Sequence, residues 1–175
     1  MADYTRRLPV YLLLDCSGSM MGDPIEAVRQ GVKALLLDLK GDPQALETAY
    51  ISVITFDSTA RQVVPLTELM QFQEPELQAR GATAMGRALE VLMDSVNQEV
   101  RKSTETQKGD WRPLVFILTD GKPTDREQFE RASEALKGMK AANIIACAAG
   151  AKAETADLKK ITDNVLMMNT LSAGD

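Results

Sequence analysis

At 175 residues the chain has the length of one domain, and 45% apolar with 26% charged residues is the balance of a globular protein that builds its own core. A net charge of −5 without a basic cluster argues against a nucleic-acid partner, and the absence of histidine excludes imidazole zinc sites, Ser-His-Asp triads and imidazole acid–base chemistry. Two cysteines, Cys16 and Cys147, are too few for a disulfide framework or a four-cysteine zinc site.

Residues 8–14 form a continuous apolar run that ends at Asp15, the pattern of a strand buried on both faces. Asp23-Pro24-Ile25-Glu26 reads as a helix start with a capping box, followed by Ile25, Val28, Val32, Leu35, Leu36 and Leu39 at helical spacing. Gly41-Asp42-Pro43 ends that helix. Residues 50–56 are rich in β-branched side chains and predict a second strand. A turn at Asp57-Ser58-Thr59 leads to a short third strand at 61–66, suited to an antiparallel edge. An amphipathic helix follows at about 84–103, then a polar surface loop at 103–110. Residues 114–118 predict a fourth strand, which leads into Asp120. Thr124-Asp125-Arg126-Glu127 reads as a second capping box, opening a helix with Phe129, Ala132, Leu136 and Met139. A strand at 143–149, a short helix around 156–161 and a strand at 165–168 complete the pattern.

Strands alternating with helices imply an open, mostly parallel sheet with helices on both faces. We read residues 1–175 as a single domain, with its core at about 8–170. Ligands of such sheets bind beyond the carboxyl ends of the strands, where Asp15 and Asp120 both fall. No apolar run approaches the roughly 20 residues that span a bilayer. The basic start, Met1 to Arg7, lacks a signal peptide's apolar segment and cleavage site. These features lead us to expect a cytoplasmic protein with no membrane contact.

Three short motifs occupy that sheet edge. They are Asp15-Cys16-Ser17-Gly18-Ser19 after the first strand, Gly81-Ala82-Thr83-Ala84-Met85-Gly86 before the long helix, and Thr119-Asp120-Gly121 after the fourth strand. Together they offer oxygen ligands alone, which suits a hard cation, Mg²⁺ first, with Mn²⁺ or Ca²⁺ as substitutes. Two carboxylates and three neutral hydroxyls leave such an ion incompletely neutralised, so it would draw in an anionic oxygen from outside. The simpler alternative is that these residues serve only turn geometry and capping.

Asp-x-Ser-x-Ser, a distant Thr and a later Thr-Asp-Gly resemble the metal-ion-dependent adhesion site (MIDAS) of von Willebrand factor A (VWA) domains. The resemblance implies a metal held by Asp15, Ser17, Ser19, Thr83 and Asp120. It also implies a doubly wound, Rossmann-like six-stranded sheet flanked by helices, in the order 3-2-1-4-5-6. Within that family the chain resembles the bacterial tellurite-resistance-associated (TerY-type) proteins. The residues behind this include Ser17 to Val28, Leu46-Glu47-Thr48-Ala49, Ser52 to Phe56, Pro65-Leu66-Thr67 and Ala79-Arg80-Gly81. Ala82 stands where the family loop often has a second Gly. The resemblance implies a metal-dependent protein-binding module of a stress-response system, not an enzyme. Its expected partners are proteins offering an Asp or Glu carboxylate, including kinase- or phosphatase-like proteins of the same system.

The competing reading is a Mg²⁺-dependent phosphotransferase or phosphatase on a similar sheet. Dehalogenase-type enzymes need Asp-x-Asp, whereas position 17 is Ser, and no general base is evident. Lys122, in Gly121-Lys122-Pro123, reads as part of a turn. Asp23 and Asp125 read as helix-start residues and Asp57 as a turn former at the border of the site. Of Met20 and Met21, at least one belongs to the core and either could offer an apolar rim. Trp111 reads as packing at a strand entrance, and Cys16 as a small packing residue not bridged to Cys147.

Overall fold

A computed structural model describes residues 6–140, 142–149 and 155–168 of the chain. The chain start, Met1 to Thr5, and the end at Asp175 lie outside the described residues. The first apolar run forms β1 (Leu8–Asp15), buried along nearly its whole length. It is flanked by two parallel neighbours, β2 (Ala49–Phe56) and β4 (Leu114–Thr119). Burial on both faces explains why β1 reads as unbroken apolar sequence rather than as an alternation.

β3 (Ala60–Glu68) pairs antiparallel with β2, as its place after a tight turn requires. β5 (Asn143–Ala149) and β6 (Val165–Met168) extend the sheet in parallel on the other side. The order is β3-β2-β1-β4-β5-β6, the doubly wound topology expected from the sequence.

Helices α1 (Asp23–Lys40) and α2 (Pro43–Thr48) cover one face, and α3 (Met85–Glu99) and α4 (Arg126–Met139) cover the other. Alternate residues of β1 serve the two cores. Val10, Leu12 and Leu14 pack with Val28, Val32 and Leu36 of α1. Tyr11 and Leu13 pack with Leu89 and Leu92 of α3 and Phe129 of α4. Each fully buried leucine of this kind contributes about 1.5–3 kcal/mol. Gly86 lets α3 and α4 meet closely, because a Cβ there would lie 2.4 Å from the Phe129 backbone nitrogen.

Several sequence expectations are corrected. α1 has no capping box: Gly22 is its N-cap, with φ of 87°, and Asp23 is already the first helical residue. Gly41 does end α1, but Asp42 then caps a further helix, α2, by accepting from the Gln44 N–H at 2.9 Å. α3 stops at Glu99 rather than near 103. Beyond it the backbone is drawn away, with the Arg101 N–H donating to Asp110 and the Glu99 carbonyl accepting from Arg7. The second capping box is also absent, because Thr124 and Asp125 bond other segments instead. The short helix around 156–161 is a 3-10 turn at Leu158–Lys160.

The entrance of the sheet holds a buried polar network. Arg7 forks onto both oxygens of Asp110, at 2.9 and 2.7 Å, and lies over the Tyr50 ring. Glu99 accepts from the Tyr11 hydroxyl, the Gln62 amide and the Leu66 N–H at 2.9–3.0 Å. Trp111 packs at the strand entrance as expected, under the Arg6 guanidinium.

Candidate metal centre

The three motifs converge at the carboxyl edge of the sheet. β1 and β4 are parallel neighbours, so Asp15 and the Thr119-Asp120 pair leave the sheet side by side. Asp15 is wholly buried and held twice: one oxygen accepts from the Ser17 N–H at 2.9 Å, the other from the Thr119 hydroxyl at 2.6 Å. The first of these folds the loop back, so that the Ser17 and Ser19 hydroxyls lie 3.1 Å apart. Ser17 is buried and Ser19 is exposed, so the pair runs from the interior to the surface.

The middle motif is tied to this loop through its backbone. The Gly18 N–H donates to the Gly81 carbonyl and the Arg80 N–H to the Cys16 carbonyl, both at 2.9 Å. Gly81 has φ of 80°, a conformation that favours glycine, and a Cβ there would lie 2.5 Å from the Ser58 hydroxyl, which would have to turn aside. Thr83 is buried, and it exchanges two bonds with Thr124: its N–H donates to the Thr124 hydroxyl and its carbonyl accepts from the Thr124 N–H. Asp125 accepts from the Gly86 and Arg87 N–H groups at 3.0 and 2.9 Å, capping α3 from a different part of the chain.

The electrostatics of the edge are those of an incomplete site. Burial pushes the Asp15 carboxyl up to about 6; bonds from Ser17 and Thr119 oppose this, and the neighbouring charge of Asp120 adds to it. One oxygen of Asp120, Oδ1, is buried without a hydrogen-bond partner. A buried carboxylate oxygen with no donor is costly, and a cation would remove that cost. Among the described residues no three carboxylates or thiolates gather into a metal-binding group. Two carboxylates are present at this edge, and the hydroxyls of Ser17, Ser19 and Thr83 would have to complete any coordination shell. The donor set therefore fits a hard divalent cation and no soft one.

The remaining sequence candidates sort by contact. Asp57 is a turn former, accepting from the Thr59 N–H at 3.0 Å, and its carbonyl also accepts from the Ala84 N–H. Met20 is core and Met21 is exposed beside the loop. Cys16 and Cys147 are free and buried, and burial pushes their thiols up to about 12 and about 11, so neither is a reactive thiolate. Sequence reasoning missed the structural roles of Thr119 and Thr124. The first had a local signal, being adjacent to Asp120; the second had none, because its partner Thr83 is 41 residues away.

Comparisons with known proteins agree with this fold. The von Willebrand factor type A domain profile matches residues 10–171. The Synechocystis protein sll0103 is 32% identical over 126 residues, which is 68% of this chain and 27% of that protein. The chain thus spans about a quarter of that relative's length. Among solved structures, proximal thread matrix protein 1 from the mussel byssus superposes with a TM-score of 0.73 at 18% identity, covering 97% of this chain and 46% of that one. A further structure of that protein, described as having a zinc-occupied MIDAS motif, has a TM-score of 0.63 at 19% identity, covering 95% and 42%. The manganese-loaded TRAP protein of Plasmodium vivax has a TM-score of 0.65 at 17% identity, covering 94% and 69%. With its strand order, its converging motifs and a profile match over most of its length, the chain belongs to the von Willebrand factor type A domain family.

Proposed function

We propose that the chain is a metal-dependent protein-binding module. Asp15, Ser17, Ser19, Thr83 and Asp120 hold one divalent cation, and an open coordination position takes a carboxylate from an Asp or Glu of a partner protein. The observation that carries this reading is the partnerless buried Oδ1 of Asp120 beside a buried Asp15 whose ionisation is disfavoured. The zinc and manganese named for two structural relatives add support for a divalent ion of this kind. Mg²⁺ is our first choice on the hardness of the oxygen ligands, with Mn²⁺ and Ca²⁺ as substitutes.

The bound ion supplies a partly neutralised positive centre. The chain's own residues do the rest. Thr119 and the Ser17 N–H fix the Asp15 carboxylate, and the bonds from Gly18 to Gly81 and from Thr83 to Thr124 lock the three segments together. The site is thereby preorganised for an incoming anion. The TerY-like resemblance supports a place in a bacterial tellurite- or stress-response system, beside kinase- or phosphatase-like proteins. Among the described residues no helix is long and apolar enough to cross a membrane.

Affinity capture with and without Mg²⁺, comparing wild type with Asp15→Ala, tests the reading. We expect partners retained with Mg²⁺ and lost on chelation or in the variant. Unchanged capture in excess chelator contradicts it. A phosphatase or phosphotransferase would instead show metal-dependent hydrolysis of a phosphoester, which we expect to stay flat.

A further inference from the structure

A cavity of about 330 Å³ opens beside the metal loop, lined by Asp57, Ser58, Thr59, Arg61, Arg80 and Gly81. It adjoins the candidate ion site through the backbone. Gly81, part of its wall, accepts from the Gly18 N–H, and Arg80 donates its N–H to Cys16. Whatever enters this cavity therefore lies next to the loop that carries Ser17 and Ser19.

The cavity is cationic in a chain of net charge −5. The Arg80 side chain is 75% exposed, and its ion pair with Asp57 is long, at 4.0 Å. Asp57 is already engaged by the Thr59 N–H. Arg61 is exposed, and among the described residues no carboxylate pairs with it. Two guanidinium groups thus line a cavity whose wall holds one carboxylate, Asp57. Guanidinium forks match carboxylates in a bidentate geometry, so two of them around a cavity form a receptor for an acidic side chain.

We propose that Arg61 and Arg80 are a second anchoring point for the partner, and that the partner presents an acidic segment with two carboxylates. One carboxylate meets the ion, and the other, a few residues away in the same segment, enters this cavity. This rests on the metal-dependent reading above and narrows its partner class from any exposed Asp or Glu to a paired acidic motif. The ion sets whether binding occurs, and the arginines set which acidic segment is preferred.

The test uses two labelled peptides in a Gly/Ser background, one with a single Asp and one with a second Asp two to four residues away. Binding is read by fluorescence anisotropy in Mn²⁺, for the wild-type chain and an Arg61→Ala/Arg80→Ala double variant. Both side chains are exposed, so the variant should keep its Tm, and Mn²⁺ calorimetry is run on each protein. We expect the diacidic peptide to bind about three- to tenfold tighter to wild type, with the gain shrinking at high salt. The double variant should lose that gain while Mn²⁺ affinity stays within about twofold. Equal affinity for the two peptides, no binding of either, or a gain that survives in the variant overturns the proposal. So does a gain for a phosphoserine peptide without one for the diacid. Normal Mn²⁺ heat with no diacid gain sinks the arginine anchor alone, whereas absent Mn²⁺ heat with no metal-dependent binding sinks the metal reading and the anchor with it.

Discussion

Two polar clusters sit at opposite ends of β1 and handle buried charge in opposite ways. At its start, Arg7 and Asp110 pair through two bonds, and Glu99 collects donors from Tyr11, Gln62 and Leu66. Burial, with Glu99 nearby, raises the Tyr11 phenol well above its ordinary range, so it remains a donor. At the end of β1, the buried Asp15 feels the charge of Asp120, and one Asp120 oxygen is buried without a hydrogen-bond partner among the described residues. The first cluster completes itself and clamps the edge strand, α3 and the segment at Arg7 that leads into β1. The second is left incomplete by the described residues, which is what a binding site for an external cation requires.

The largest expected effect breaks the self-contained cluster. Asp110→Ala leaves the Arg7 guanidinium buried without its counter-ion and should cost about 3–5 kcal/mol. A fall in the denaturant midpoint with unchanged slope would show it. A loss below about 1 kcal/mol would mean that the pair is solvated and the contrast overstated.

Next comes the pH dependence of the metal-free chain. The folded Asp15 carboxyl holds its proton up to about pH 6, above its ordinary value of 3.8. A folded-state pKa that is raised gives stability that is complete below about pH 4 and is lost as pH rises through about 6. The loss should reach at most about 3 kcal/mol. Urea unfolding across this window checks the sign, and saturating Mn²⁺ should abolish the decline by favouring the ionised form.

A smaller effect is expected where the candidate site is built on a helix start. Asp125→Ala removes the cap that Gly86 and Arg87 receive from across the chain, at a cost of about 1–2 kcal/mol. Hydrogen exchange should speed up first at the start of α3. The smallest change has the opposite sign to the first. Asp120→Asn relieves the repulsion on Asp15, so metal-free stability should hold or rise by up to about 1 kcal/mol.

The contrast between the clusters was only half legible in the sequence. Strand-terminal Asp15 and Asp120 stand out because burial writes an apolar run before each, and Ser17, Gly18 and Ser19 lie within four residues of Asp15. The order of the sheet followed from the family resemblance and is the order found. Thr83 entered as part of the motif before the long helix, and the resemblance gave it a ligand's role; its two bonds with Thr124 left no local signal. The Arg7–Asp110 pair was invisible, because its partners are 103 residues apart and look like ordinary surface charges. The second capping box misled for a related reason. Local spacing suggested self-capping, but Asp125 serves α3 and Thr124 serves Thr83, and such tertiary choices leave no local pattern. The six-residue α2 was too short to show a helical period.

Calorimetric titration of Mn²⁺ into the wild-type chain and into Asp120→Asn asks whether the Asp15–Asp120 edge holds a cation. We expect one saturable site in the wild-type chain, and its loss in a variant that stays fully folded. No heat at millimolar Mn²⁺ in the wild-type chain, or equal binding by the variant, would contradict it.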